Sequence, residues 1–217
     1  MRKVPFVVGE HFHIFNRGVD KRLIVQDIED AGRFMQSLLE FNTTEPIGSI
    51  YESSLSKERT LKKPLVSFIA YCLNPNHYHF ILTPKVENGI QQFMQRFGTG
   101  YSLYFNNKYK RSGSLFQGRF KASHINSNEY LLHVSAYVNL NSRVHQLGGS
   151  TSKLVRSSFD EYLSASPSKG EGIFCDKEII LDQFSSSKEY AEFATSSLGE
   201  MVRRKTNDEE LAKMLLE

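Results

Sequence analysis

Four stretches in the first 125 residues are predicted β-strands: apolar and polar residues alternate along residues 11–17, for example, whereas residues 65–73 are an apolar run of β-favouring residues. The tripeptide Asn74-Pro75-Asn76 separates two of them, and its residue types favour a turn, so these two strands are expected to form a hairpin. Gly118 predicts a kink in the last strand. The predicted strands cover residues 11–17, 65–73, 77–83 and 114–125.

In three other stretches, apolar residues recur every three or four positions, as in amphipathic helices. Asp27 is a suitable N-cap for the first helix, and Ser127 or Asn128 for the third. The order β-α-β-β-α-β predicts an α+β fold with a ferredoxin-like or RRM-like antiparallel sheet and two helices on one face. The third helix is additional and is expected to cover part of the other face. The predicted helices are residues 27–41, 89–106 and 128–140.

The chain changes in composition after Asn141, where Gly, Ser and Lys become frequent. This change divides the chain into a predicted catalytic domain, residues 1–147, and an acidic, mainly helical C-terminal extension, residues 148–217. A polar stretch broken by Pro and Gly predicts a loop at residues 43–63. Short helices are predicted at residues 158–164, 176–184, 187–197 and 206–216.

Charge is distributed unevenly between the two parts of the chain. The formal net charge of the 217 residues is +3, yet residues 157–217 hold 13 acidic and 7 basic side chains. Such asymmetry is typical of a nucleic-acid-binding body with an acidic tail.

Two cysteines are too few for a disulfide framework or a four-cysteine zinc site. No apolar run is long enough for a membrane helix or a secretory signal, so a cytoplasmic, nucleoid-associated protein is expected.

Two His-x-His pairs are candidates for metal binding, because residues two apart on a strand point to the same face. One is His77 and His79, and the other is His11 and His13. Surface histidines beside a turn explain either pair equally well, and spacing alone does not choose between them.

Tyr137 and Asn141 lie one helical turn apart and are candidates for chemistry on a phosphodiester. A phenol can attack phosphorus when a metal offsets the developing charge, and an amide oxygen is a suitable ligand for a hard divalent ion. The alternative is a core tyrosine followed by a polar helix C-cap.

Residues 88–128 contain no Asp or Glu, and their basic side chains are interleaved with aromatic ones. This combination suits single-stranded nucleic acid, through phosphate neutralisation and base stacking. Several of the aromatic residues have helical spacing and are instead expected in the core.

Motifs for ATP hydrolysis, for a serine nucleophile elbow and for a zinc deaminase are absent from the sequence.

Three segments together resemble a known family: YCLNPNHYHFILTP at 71–84, YKRSGSLFQGRFKASHI at 109–125 and NEYLLHVSAYVNLN at 128–141. They are similar to the single-tyrosine HUH transposases, in particular to the REP-associated tyrosine transposase branch. The resemblance spans about residues 9–147. One departure is Asn141-Ser142-Arg143-Val144, where many relatives continue Asn-Pro-Val-Arg.

The resemblance implies cleavage and rejoining of single-stranded DNA, often at hairpins, with Mg²⁺ or Mn²⁺ and a covalent 5′-phosphotyrosine. The residues that match the family's metal ligands are His77, His79 and Asn141, and Tyr137 matches its nucleophile. His11 and His13 match the family's first strand, which does not supply the ligand pair. Relatives include monomers and dimers that share active sites, so a homodimer is one alternative.

The predicted function is therefore metal-dependent cleavage and strand transfer of single-stranded DNA at hairpins or palindromic repeats. The alternative is a module of the same fold that binds nucleic-acid hairpins without cutting them. Gln117 is a candidate for reading a base edge. Backbone contacts are predicted for Arg17, Lys110, Arg111, Arg119 and Lys121.

Overall fold

The four predicted strands and a short fifth strand that was not predicted form one antiparallel sheet of order β4-β1-β3-β2-β5, which confirms the α+β class. The computed structural model describes residues 5–51, 63–145, 149–164 and 175–214, so residues 52–62 of the predicted loop lie outside the described part. The strands are β1 (His11–Arg17), β2 (Val66–Asn74), β3 (His77–Pro84), β4 (Lys121–Ile125) and β5 (Arg156–Ser157).

The helices lie on both faces of the sheet. Asp27 caps the first helix, as predicted, because its side chain accepts a hydrogen bond from the Asp30 backbone N–H. Ser127 does the same for the helix that carries Tyr137. The helices are α1 (Ile28–Glu40), α2 (Gly89–Lys108), α3 (Asn128–Asn139), α4 (Asn141–Val144), α5 (Phe159–Leu163), α6 (Glu178–Leu181) and α7 (Ser187–Met214), with 3₁₀ turns at Val19–Lys21 and Gly149–Leu154.

Alternation along β3 assigns its residues to two different cores. Tyr78 and Phe80 point toward α1 and α2, where they join a buried cluster with Phe34 and Phe97. Ile81 belongs to the second buried cluster, on the opposite face, with the apolar residues of α3. His77 and His79 have the same parity as Ile81, and the register of the sheet therefore directs them to the α3 face.

The C-terminal extension contributes to the second core. β5 pairs with β2 at the edge of the sheet, and Tyr162, Ile180 and Tyr190 are fully buried against the α3 face. The apolar residues of α3 also pack on this face, so the expectation that the third predicted helix covers part of it is confirmed. Within the described residues, none of the helices has both the length and the apolar composition needed to span a membrane.

Two predicted elements differ from the structure. The strand predicted over 114–125 is regular only over Lys121–Ile125, because Gly118 has a φ of +66° and turns the chain out of the sheet. The helices predicted at 187–197 and 206–216 are parts of one helix, α7, which ends at Met214. The intervening residues lack proline, so the polar stretch did not interrupt the helix.

Candidate active site

His77 and His79 lie on β3 with their imidazole rings 5.4 Å apart and perpendicular. The side chain of His77 is half-buried, whereas His79 is only 8% exposed. Nδ1 of His77 lies 2.6 Å from the amide oxygen of Asn76. This oxygen can only accept a hydrogen bond, so the ring proton of His77 is on Nδ1. His77 therefore presents an unprotonated Nε2 to the other side of its ring, as a metal ligand requires.

Asn141, fully buried at the start of α4, points its amide oxygen at His77. Oδ1 of Asn141 lies 3.0 Å from Nε2 of His77. In octahedral coordination with bonds of about 2.1 Å, neighbouring ligand atoms are about 3 Å apart. Among the described residues, the buried amide nitrogen of Asn141 has no hydrogen-bond partner, whereas its amide oxygen contacts His77.

Asn74, which the sequence pattern assigned only to a turn, connects these two side chains. Its Nδ2 donates to Oδ1 of Asn141 at 2.7 Å and lies 2.8 Å from Nε2 of His77. Asn74 is fully buried, and β2–β3 pairing places it opposite His77. The two acceptor atoms thus converge on one electropositive N–H group, in a geometry suited to a cation.

Tyr137, on the last turn of α3, packs its ring edge-on against His79 with 5.4 Å between centroids. Burial raises the pKa of its phenol, and the neighbouring Asn141 side chain partly offsets that shift. The tyrosine is therefore a protonated phenol at neutral pH in the metal-free protein. The structure brings together all four residues that the resemblance identified.

Two further histidines surround this group. Nε2 of His13 lies 2.8 Å from Nδ1 of His79, and burial lowers the pKa of His13 to about 4. The pKa of His79 is also well below its usual value, chiefly through burial and then through the neighbouring imidazoles. His145 packs on His77 with 4.5 Å between ring centroids. The sequence prediction missed His145, because it follows α4 and belongs to no motif.

His77, His79, Tyr137 and His145 line a cavity of about 520 Å³. Three basic side chains and no acidic one are found among the described residues that line it. The guanidinium of Arg17 donates to the side-chain oxygen of Gln117, and the ammonium of Lys121 lies 6.0 Å from the centre of the Phe15 ring. The lining consists of Phe15, Asn16, Arg17, Lys21, Asn76, His77, His79, Gln117, Lys121, Tyr137 and His145.

Three of the predicted DNA-contact residues are not in this cavity. Lys110 and Arg111 line a second cleft of about 780 Å³, together with Arg33 and Tyr104 of the α1–α2 layer. Arg119 is exposed and lines neither cleft. Arg17, Gln117 and Lys121 are therefore the predicted contacts that adjoin Tyr137.

The donor set in this cavity fits a divalent ion of mixed nitrogen and oxygen coordination. Within the described ranges, no three His, Cys, Asp or Glu side chains are grouped to hold a metal, and the oxygen donor beside the two histidines is the amide of Asn141. His77, His79 and Asn141 supply two uncharged imidazoles and one amide oxygen. Three ligands leave coordination positions open for water or substrate oxygen.

Residues 55–141 match the family model described as "Transposase IS200 like". No curated protein matches the chain. Among solved structures, the chain is similar to "Structure of the REP associates tyrosine transposase bound to a REP hairpin", with a TM-score of 0.51 and 13% identity over 86% of this chain and 95% of that one. At this identity the likeness is one of fold. Residues 55–141 contain His77, His79, Tyr137 and Asn141, so the match to this family model supports the family predicted from the motifs.

Proposed function

We propose that this protein cleaves and rejoins single-stranded DNA, with Tyr137 as the nucleophile. The observation that carries the proposal is that Tyr137, His77 and His79 line one cavity with basic side chains, while the amide oxygen of Asn141 lies 3.0 Å from Nε2 of His77. A cavity with cationic walls attracts a phosphodiester and gives its backbone favourable contacts.

His77, His79 and Asn141 would hold the divalent ion, Mg²⁺ or Mn²⁺. When bound, it would polarise a non-bridging phosphate oxygen and offset the charge that develops there. The Nδ1 contact of His77 with Asn76 supports this role, because it leaves the Nε2 atom of that ring as the acceptor.

Tyr137 would attack phosphorus with its phenolic oxygen. The new Tyr137 O–P bond replaces the bond from phosphorus to the 3′ oxygen, the phenol proton is released, and the leaving oxygen takes up a proton to become a 3′-OH. The product is a 5′-phosphotyrosine. This bond retains the energy of the phosphodiester, so a 3′-OH can attack it in a strand transfer without ATP. The raised pKa of the buried phenol keeps the nucleophile protonated at neutral pH in the free protein.

The DNA is proposed to enter along Arg17 and Lys121, with the Gln117 amide beside a base edge. Lys110 and Arg111, in the second cleft, would contact a more distant part of the backbone, and Arg119 an exposed part. A hairpin is the proposed substrate, because the solved structure of similar fold is a REP-associated tyrosine transposase bound to a REP hairpin. A hairpin offers both a duplex stem and adjacent single strands.

Covalent capture tests this proposal directly. The protein is incubated with labelled single-stranded DNA hairpins of palindromic repeats and Mn²⁺, and adducts are resolved on a denaturing gel. The wild type should form an adduct, and Tyr137→Phe should form none. Tyr130→Phe is the matched control, because Tyr130 lies two turns earlier on the same helix and is 40% exposed; it should react like the wild type.

The hairpin-binding alternative predicts a different result in the same assay. If the wild type binds hairpins tightly, forms no adduct with Mn²⁺ or Mg²⁺, and His77→Ala binds equally well, the protein is a binding module. An undiminished adduct in Tyr137→Phe would instead show that another residue is the nucleophile.

A further inference from the structure

His11 and His13 form the second His-x-His pair of the chain, and the structure gives its two members different surroundings. Both imidazoles lie on the same face of β1. Nδ1 of His11 lies 2.7 Å from the hydroxyl of Thr83, at the far end of β3. His13 is 9% exposed and contacts His79 and Tyr137. Only His13 therefore reaches the candidate active site.

His13 contacts His79 through a single nitrogen and a stacked ring. The Nε2–Nδ1 distance is 2.8 Å, and the two rings lie 5.1 Å apart at 19° to one another. Phe15 stacks on both rings, at 5.0 Å from His13 and 5.5 Å from His79. His13 does not line the cavity, so its contact is with the back of the His79 ring.

A metal-bound imidazole needs a hydrogen-bond acceptor behind it. When one ring nitrogen binds a metal, the other carries the proton, and an acceptor at that N–H fixes the tautomer and the ring orientation. Asn76 is in this position for His77. The atom in the equivalent position for His79 is Nε2 of His13.

We infer that His13 is a positioning residue that accepts the Nδ1 proton of His79 and thereby directs Nε2 of His79 toward the metal. The inference rests on the proposed metal role of His79. It requires His13 to be uncharged with its own proton on Nδ1. It also gives a function to one member of the His-x-His pair that the family's ligand pattern leaves unused.

Manganese affinity without DNA tests the inference independently of catalysis. Free Mn²⁺ is measured by electron paramagnetic resonance during titration of the full chain. His13→Leu should raise the dissociation constant about 10- to 100-fold. His11→Leu is the matched control, with the same residue type on the same strand face, and should stay within about twofold. His13→Gln keeps a side-chain acceptor and should recover part of the lost affinity.

The outcomes separate this inference from the proposed function. If the wild type binds Mn²⁺ and a folded His13→Leu variant binds it equally well, the inference fails and the metal role of His79 stands. If the wild type binds no Mn²⁺, both fail. Should His13→Leu not fold, nitrogen chemical shifts of the histidine rings in wild type with Mg²⁺ decide: an Nδ1-protonated His79 supports the inference, and an Nε2-protonated His79 overturns it.

Discussion

At the scale of single residues, the candidate site depends on buried polar atoms that sequence patterns assign to other roles. Asn74 belongs to a tripeptide that turn formation explains fully, yet its amide donates to Asn141 and adjoins His77. His145 has no motif at all and still packs on His77. Residues of this kind are identified by pairing across the sheet and by the packing of α4, neither of which a local pattern contains.

The basic residues predicted to contact DNA should divide into two groups by position. Lys121 lines the cavity with Tyr137, whereas Lys110 lines the second cleft. Lys121→Gln should therefore weaken binding of a short single-stranded oligonucleotide about 3- to 10-fold and reduce its salt slope by about one ion. Lys110→Gln, with the same charge change, should alter binding of the short oligonucleotide less. Fluorescence anisotropy at several salt concentrations measures both, and equal losses would contradict the division.

At the scale of elements, α3 and α4 place Tyr137, the proposed nucleophile, one turn from Asn141, the proposed amide ligand. The C-terminal extension holds α3 from behind. The Tyr190 hydroxyl, on α7, accepts from the Asn139 amide at 2.8 Å and lies 3.1 Å from the Ser135 hydroxyl. The Ser158 hydroxyl donates to the other end of the Asn139 amide at 2.5 Å. The extension thus fixes the helix that carries Tyr137.

Removing one hydroxyl tests this connection. Tyr190→Phe leaves a buried Asn139 N–H without its acceptor, which should lower the free energy of unfolding by about 1–2 kcal/mol. Urea unfolding followed by circular dichroism measures the difference. Tyr130→Phe, an exposed tyrosine on α3, should change stability by less than about 0.5 kcal/mol. If the two variants were equally stable, the Tyr190 contacts would contribute nothing to the packing of α7 on α3.

At the scale of the whole molecule, the acidic extension is also part of the core, because its own Tyr162 and Tyr190 are buried against the α3 face of the sheet. On the other face, Tyr78 and Tyr101 are buried under α1 and α2. Burial raises the pKa of all four phenols. Both layers of the fold therefore depend on tyrosines that stay uncharged.

Alkaline pH should consequently destabilise the protein. Burial raises the pKa of Tyr190 to about 12, whereas in the unfolded chain it is about 10. The unfolded state loses the proton first, so this contribution is complete below about pH 10 and is lost as pH rises toward 12. For Tyr190 alone the loss at pH 12 is about 2–3 kcal/mol. Urea unfolding from pH 8 to 11 should show falling stability, with a shallower fall in Tyr190→Phe; a flat profile would contradict it.

The local pattern of the sequence by itself determined most elements, because alternation, helical spacing, caps and the Asn-Pro-Asn turn act over a few residues. It also supplied the motifs that name His77, His79, Tyr137 and Asn141. The sequence could not show the surroundings of the two His-x-His pairs, since their spacing is identical. Strand order and register decided these surroundings. Because β1 pairs antiparallel with β3, Phe15 lies opposite His79, and His13 contacts the ring of His79, one of the two proposed metal ligands on β3. The same long-range packing separated Lys121 from Lys110 and Arg111, because residues only 10 or 11 positions apart in the chain line different clefts.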